Sequence, residues 1–90
     1  MREIVHTEDV LGGDPRIDGT RVGVIHVKER LDVGDEPAQV AADYGLDLAD
    51  VYRALAYYYD NPDEMDEIER RRAAFVDDLD SQQPDAPERA

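Results

Sequence analysis

The stretch Glu36 to Tyr58, EPAQVAADYGLDLADVYRALAYY, restricts the possible folds more than any other part of the chain. It reads as two short helices joined by a tight turn. Pro37 suits the first position of a helix, because that residue needs no N–H and its φ is already set. Glu36 stands before it as a weak N-cap, with Gln39 in the capping-box partner position. Val40, Ala41 and Tyr44 then form an apolar stripe. Gly45 can end this helix in a left-handed conformation at little cost. Asp47 is a better N-cap for the next helix, with Asp50 in the partner position. Val51, Leu55 and Tyr58 make the second stripe, with Ala54 beside it. Helix, short glycine-containing turn and helix is the shape of a helix-turn-helix unit. Small helical domains that never touch DNA contain the same corner.

The flanking segments complete a mainly α fold. Residues 2–6 are short, partly β-branched and strand-like. Gly12 to Pro15 is a dense turn signal. Arg16-Ile17 reads as a short strand, Asp18-Gly19 as a hairpin turn, and Thr20-Arg21-Val22 as the returning strand. A lone two-stranded ribbon is marginal, so this N-terminal ribbon, residues 1–23, must lie on the helices or pair with another chain. Val24 to Val33 reads as the first helix, with Val24, Val27 and Leu31 on one face and Gly34 closing it. The three helices make a core over residues 24–60. Asn61 and Pro62 start a fourth, amphipathic helix over 61–80, with Asp63 and Glu64 favourably placed in its first turn. Residues 81–90 contain Pro84 and Pro87 and no apolar periodicity, and are expected to be disordered.

Composition narrows the chemistry. Ninety residues make one domain at most. The absence of Cys excludes a disulfide framework and a thiolate metal site. No apolar run approaches the roughly 20 residues needed to cross a bilayer, and no basic-then-apolar leader opens the chain, so a cytoplasmic location is expected. The formal net charge is −13. The acids are mostly Asp, scattered along the chain, and Lys28 is the only lysine. An acidic chain can mimic nucleic acid or bind a basic partner, but scattered acids suit a surface that stays hydrated in molar salt. In this respect the chain resembles haloarchaeal proteins. The expected result is loss of structure in low salt. A circular-dichroism melt unchanged between dilute buffer and ~2 M KCl would contradict it, since screening is almost complete at the higher salt.

The segments Gly13-Asp14-Pro15-Arg16-Ile17-Asp18-Gly19-Thr20-Arg21-Val22, Leu31-Asp32-Val33-Gly34, Val40-Ala41-Ala42-Asp43-Tyr44 and Asp50-Val51-Tyr52-Arg53-Ala54-Leu55-Ala56-Tyr57-Tyr58 together resemble the domain-of-unknown-function 433 family. The resemblance runs over roughly residues 12 to 65. It implies a homeodomain-like helix-turn-helix and a VapB-like antitoxin role beside a PIN-like nuclease toxin. The chain departs from the family pattern in one place. Glu36 stands where Ser or Thr usually caps the second helix, and Gly45 where a Pro usually follows the tyrosine, so the turn is one residue shorter.

Candidate interaction residues follow. DNA binding needs cations, because phosphate contacts supply most of the affinity. The third helix offers Arg53 and Tyr52 but begins with Asp47 and Asp50, which would repel phosphates. The segment 16–30 is more basic: Arg16, Arg21, Lys28 and Arg30 stand against Asp18 and Glu29, with His26 as a possible addition. A purely structural role for Arg21 is an ion pair with an acid such as Asp18, ordering the hairpin. Tyr57, Tyr58 and Tyr59 point in different directions at helical spacing, which favours packing over base stacking. Arg70, Arg71 and Arg72 form the densest basic run, and the bland expectation is pairing with Asp66, Glu67 and Glu69 along the helix. Met65, Ile68, Arg72, Phe75 and Leu79 step as a heptad seam, widened by Val76, and are the candidate partner-binding residues, the partner being either a toxin or the same helix of a second copy in the dimer. In complexes of the kind the family resembles, an arginine can enter the acidic metal site of the nuclease, so Arg72 or its neighbours could block it. Open ribbon edges and two-fold operators suggest a homodimer. His6 and His26 have no partner at ligand spacing, so no metal or cofactor is expected. No nucleophile-with-base constellation is visible, so an enzyme is not expected. The expected function is an antitoxin-like protein that binds a PIN-like toxin and represses its own operon on operator DNA. The alternative is a module that binds protein only.

Overall fold

The computed structural model describes residues 2–82, and side chains to residue 76. The chain is mainly helical, with a small two-stranded antiparallel sheet. In order come β1 (Ile4–Val5), a tight 3-10 turn (Leu11–Gly13), β2 (Arg16–Ile17), α1 (Val24–Asp32), α2 (Pro37–Tyr44), α3 (Leu48–Asp60) and α4 (Pro62–Gln82). The first residues of α1, α2 and α4 are those the sequence predicts. The C-terminal helix runs past Asp80 through Ser81 and Gln82. The rest of the expected disordered tail, residues 83–90, lies outside the described residues.

The ribbon differs from the sequence reading. β2 pairs with β1, Ile4 opposite Ile17 and Val5 opposite Arg16. Thr20 to Val22 is not a strand, and the chain returns through a single bridge between Arg16 and Gly23. Thr20 is the physical reason. Its hydroxyl donates to the Ile17 carbonyl at 2.7 Å and accepts the Val22 N–H at 3.0 Å, replacing ladder bonds that a returning strand would make. Gly19 turns the chain at φ 78°, and a Cβ there would sit 2.7 Å from Arg2 Nη1. Arg16, rather than Arg21, clamps this turn: its Nη1 donates to the Thr20 carbonyl at 2.8 Å and its Nη2 to the Thr7 hydroxyl at 2.9 Å.

The helix ends follow from local chemistry. Gly45 ends α2 in the left-handed region at φ 69°. Asp50 accepts the Asp47 N–H at 3.0 Å, the capping-box contact expected of it. Gln39 does not cap α2; its side-chain amide donates to Asp43 at 2.7 Å, one turn further along the helix. Asn61 donates from its side chain to the Tyr57 carbonyl at 3.0 Å, so it closes α3 as α4 begins.

α3 lies at the centre, packed against α1, α2, α4 and both strands. Ile17, Val24, Val27, Val40, Val51 and Ala54 make the buried core. Met65 and Ile68 belong to it as well, 1% and 2% exposed. The first turns of α4 are therefore structural. This corrects the expectation that Met65 and Ile68 serve a partner: the core is not closed without them, because α4 packs against both α1 and α3.

Candidate interaction surfaces

Three surfaces come from these elements. The first is the basic segment. Lys28 is paired with Asp32 and lies 4.8 Å over the Tyr58 ring. Arg30 bonds Asp35 and, at 2.6 Å, Asp43, and stacks over Tyr44 at 5.4 Å. The Arg30 guanidinium, helped by Gln39, holds the Asp43 carboxyl below its ordinary range. Both cations thus fasten α1, Lys28 to α3 and Arg30 to α2. Arg16 and Arg21 sit apart, at the ribbon turn. Arg21 is exposed and, among the described residues, makes no ion pair, neither with Asp18 nor with any other acid. The expected basic face is split in two.

His26 adds no charge to it. Its Nδ1 accepts the Gly23 N–H at 2.9 Å, which closes the start of α1. Accepting requires an unprotonated nitrogen. Burial, with the nearby Arg72 cation, lowers its pKa from the ordinary 6.5. A lowered folded value means the unfolded chain binds the proton more readily, so this contribution is present above about pH 6.5 and fades as pH falls through the folded value. In chemical melts, His26→Gln should flatten the stability change over that range relative to the parent.

The second surface is the outward face of α3. Leu48, Tyr52 and Tyr59 are exposed along it, Tyr59 edge-on to Tyr58 at 5.0 Å. Asp50 does not face outward as a groove-entering helix start would need. It is 1% exposed and accepts the Arg2 N–H at 3.0 Å, so it ties the N-terminal strand to α3. Arg53 lies on the other side of α3, lining a shallow pocket with Glu3, Ile4, Ala56, Tyr57 and Asp60. Tyr52 thus lies on the exposed face of α3, and Arg53 in the pocket beside β1.

The third surface is the far half of α4. Phe75 and Val76 are 64% and 54% exposed. Leu79 lies in the helix, but its side chain is outside the described residues. The basic run does not stay on its own helix. Arg70 pairs with Asp66 at 2.8 Å, as expected, whereas Arg71 reaches Asp14 at 2.8 Å. Arg72 makes a two-pronged contact with Glu29 of α1, its Nη2 at 2.6 Å from Oε1. Glu69 accepts from the Tyr58 hydroxyl at 2.8 Å instead. Asp14, Glu29, Arg71, Arg72, Phe75 and Val76 line one open cleft of about 400 Å³. Two ion pairs, each between partly exposed partners, hold its sides, and two apolar side chains stand beside them.

A polar cluster that the sequence reading missed joins His6, just after β1, to α3 and α4. His6 Nε2 lies 2.9 Å from Glu64 and 3.1 Å from the Tyr57 hydroxyl, which also donates to Glu64. Burial and the Glu64 carboxylate push Tyr57 up to about 12. No sequence signal marks this cluster, because its members are far apart in the chain. Among the described residues no group of three or more His, Cys, Asp or Glu side chains could hold a metal. No helix among them is long and apolar enough to cross a membrane.

The chain was compared with known proteins. The family described as "Protein of unknown function (DUF433)" matches residues 4–58, both strands and α1 through most of α3, stopping short of α4. No curated protein matches. A crystal structure of a DUF433 member from Anabaena variabilis is similar, with 32% identity, a TM-score of 0.68, and coverage of 74% of this chain and 67% of that one. With more than half of its length matched and a solved member sharing its fold, the chain belongs to the DUF433 family.

Proposed function

We propose that this chain is an antitoxin-like protein: it binds and neutralises a PIN-like nuclease toxin and, as a homodimer, represses its own operon by binding operator DNA. The observation that carries the partner half is the far half of α4, where Phe75 and Val76 stand exposed beside Arg71 and Arg72. A partner groove would cover the two apolar side chains. Arg72 would exchange Glu29 for carboxylates of the nuclease site. Arg72 and Glu29 are each nearly half exposed, at 43% and 46%, and exposed ion pairs are weak, so the exchange is inexpensive.

The order α1, α2, α3, with α2 and α3 joined through Gly45, Leu46 and Asp47, supports a homeodomain-like helix-turn-helix reading. A second reading, a module that binds protein only, is favoured by the apolar outward face of α3 and by the pairing of Lys28 and Arg30 with acids. A chain ending at Glu69 keeps Met65 and Ile68 and tests the partner half. It should lose inhibition of its cognate nuclease; full inhibition would remove α4 from the mechanism. Binding to the upstream DNA, titrated with salt, separates the two readings. No affinity even at the host's own salt would leave the protein-only module.

A further inference from the structure

Most of the cations of this acidic chain are matched to carboxylates where they stand. Arg2 pairs with Asp50, Lys28 with Asp32, Arg30 with Asp35 and Asp43, Arg70 with Asp66, Arg71 with Asp14 and Arg72 with Glu29. Arg16 and Arg21 are different. Among the described residues Arg16 bonds neutral oxygens alone, the Thr20 carbonyl and the Thr7 hydroxyl, and its buried Nε has no acceptor. Arg21 is exposed and, among the described residues, pairs with no acid. Both line one open cleft with Val10, Gly19 and Thr20. Arg2 brings another guanidinium to the same turn, its Nη1 donating to the Asp18 carbonyl at 3.1 Å. The Asp18 carboxylate is exposed and is not part of the cleft lining.

We infer that this cleft receives a phosphate of a nucleic-acid backbone, held by Arg21 and Arg16 at the ribbon turn. Guanidinium groups match a phosphate through parallel N–H donors, and among the described residues no carboxylate pairs with Arg16 or Arg21. The cleft is open, whereas a small phosphate metabolite needs an enclosing pocket. A backbone phosphate needs no enclosure, because it is one contact of many along a strand. The inference deepens the DNA half of the proposed function and places its contact on the ribbon rather than on α3.

The test uses the full chain and a labelled duplex of the upstream DNA. Fluorescence anisotropy is read over the range of KCl, up to about 2 M, in which circular dichroism shows the chain folded. Among the described residues Arg21 has no ion-pair partner, so Arg21→Ala should fold normally. It should weaken binding about tenfold and reduce the slope of log affinity against log salt by about one. Arg70→Ala, an exposed cation paired with Asp66 on α4, should leave the slope unchanged. Duplex binding with the parental slope in Arg21→Ala would overturn the site while leaving DNA binding itself standing. No duplex binding by the parent chain would overturn both, with the nuclease half, tested through α4, unaffected. Displacement of the duplex by inorganic phosphate at about 1 mM, beyond the effect of equal ionic strength, would show a free-phosphate site and overturn the backbone assignment.

Discussion

Replacing Asp50 by Ala is expected to lower stability by about 2–4 kcal/mol, the cost of leaving buried donors without their charged acceptor. Asp50 is 1% exposed, and its two oxygens accept the N–H groups of Arg2 and Asp47, each at 3.0 Å. Arg2 Nε adds an ion pair at 3.7 Å. One carboxylate therefore starts α3 and anchors the N-terminal strand. Asp50→Asn keeps an accepting oxygen on one side only and should fall between the parent and Asp50→Ala. Thermal melts should show a drop of roughly 10 °C or more for the alanine variant. The bond from the Arg2 N–H is the main reason the Asp50 carboxyl sits below its ordinary 3.8, with the Asp47 N–H and the Arg2 charge adding to it against the cost of burial. Its contribution is thus complete above that value and fades as pH falls through the lower, folded one. Acid melts of Asp50→Asn should lack that loss.

The second large effect concerns α4. Met65→Ala and Ile68→Ala should each cost about 2–5 kcal/mol in urea unfolding, as truncations in a packed core do. Phe75→Ala, on the same seam about two to three turns later, should change stability by no more than about 0.5 kcal/mol. The seam is continuous in sequence but divided in function: its first half closes the core over α1 and α3, and further on it carries the exposed Phe75 and Val76. Equal costs at Ile68 and Phe75 would contradict this division.

What could be read from the sequence was local. Pro37, Gly45, Asp47 and Gly34 mark helix ends through their own backbone preferences, so the bounds of α1 to α3 were legible. The partner of β2 was not, because residues 2–6 and 20–22 carry similar strand-like patterns; the Thr20 side chain and the burial of Ile17 decide between them. Helical spacing placed Arg70 on Asp66 correctly. It could not send Arg72 to Glu29 or Arg71 to Asp14, pairs made by the packing of α4 against the rest of the chain. For the same reason, Met65 and Phe75 look alike along the seam, and only the depth of the core separates them. Asp50 was read correctly as a cap, but its second task, holding Arg2 from 48 residues away, has no local signature.

Calorimetric titration with a PIN-like nuclease, the partner proposed for this protein, tests the central claim most directly. The parent chain and Phe75→Asp are compared at one salt concentration, with unfolding of each followed separately. The account predicts tight binding by the parent and a loss of at least about 2 kcal/mol, some thirtyfold in affinity, for Phe75→Asp, the mark of a central contact residue. Stability should stay within about 0.5 kcal/mol of the parent. Equal affinity in the two proteins would contradict a partner surface on the far half of α4.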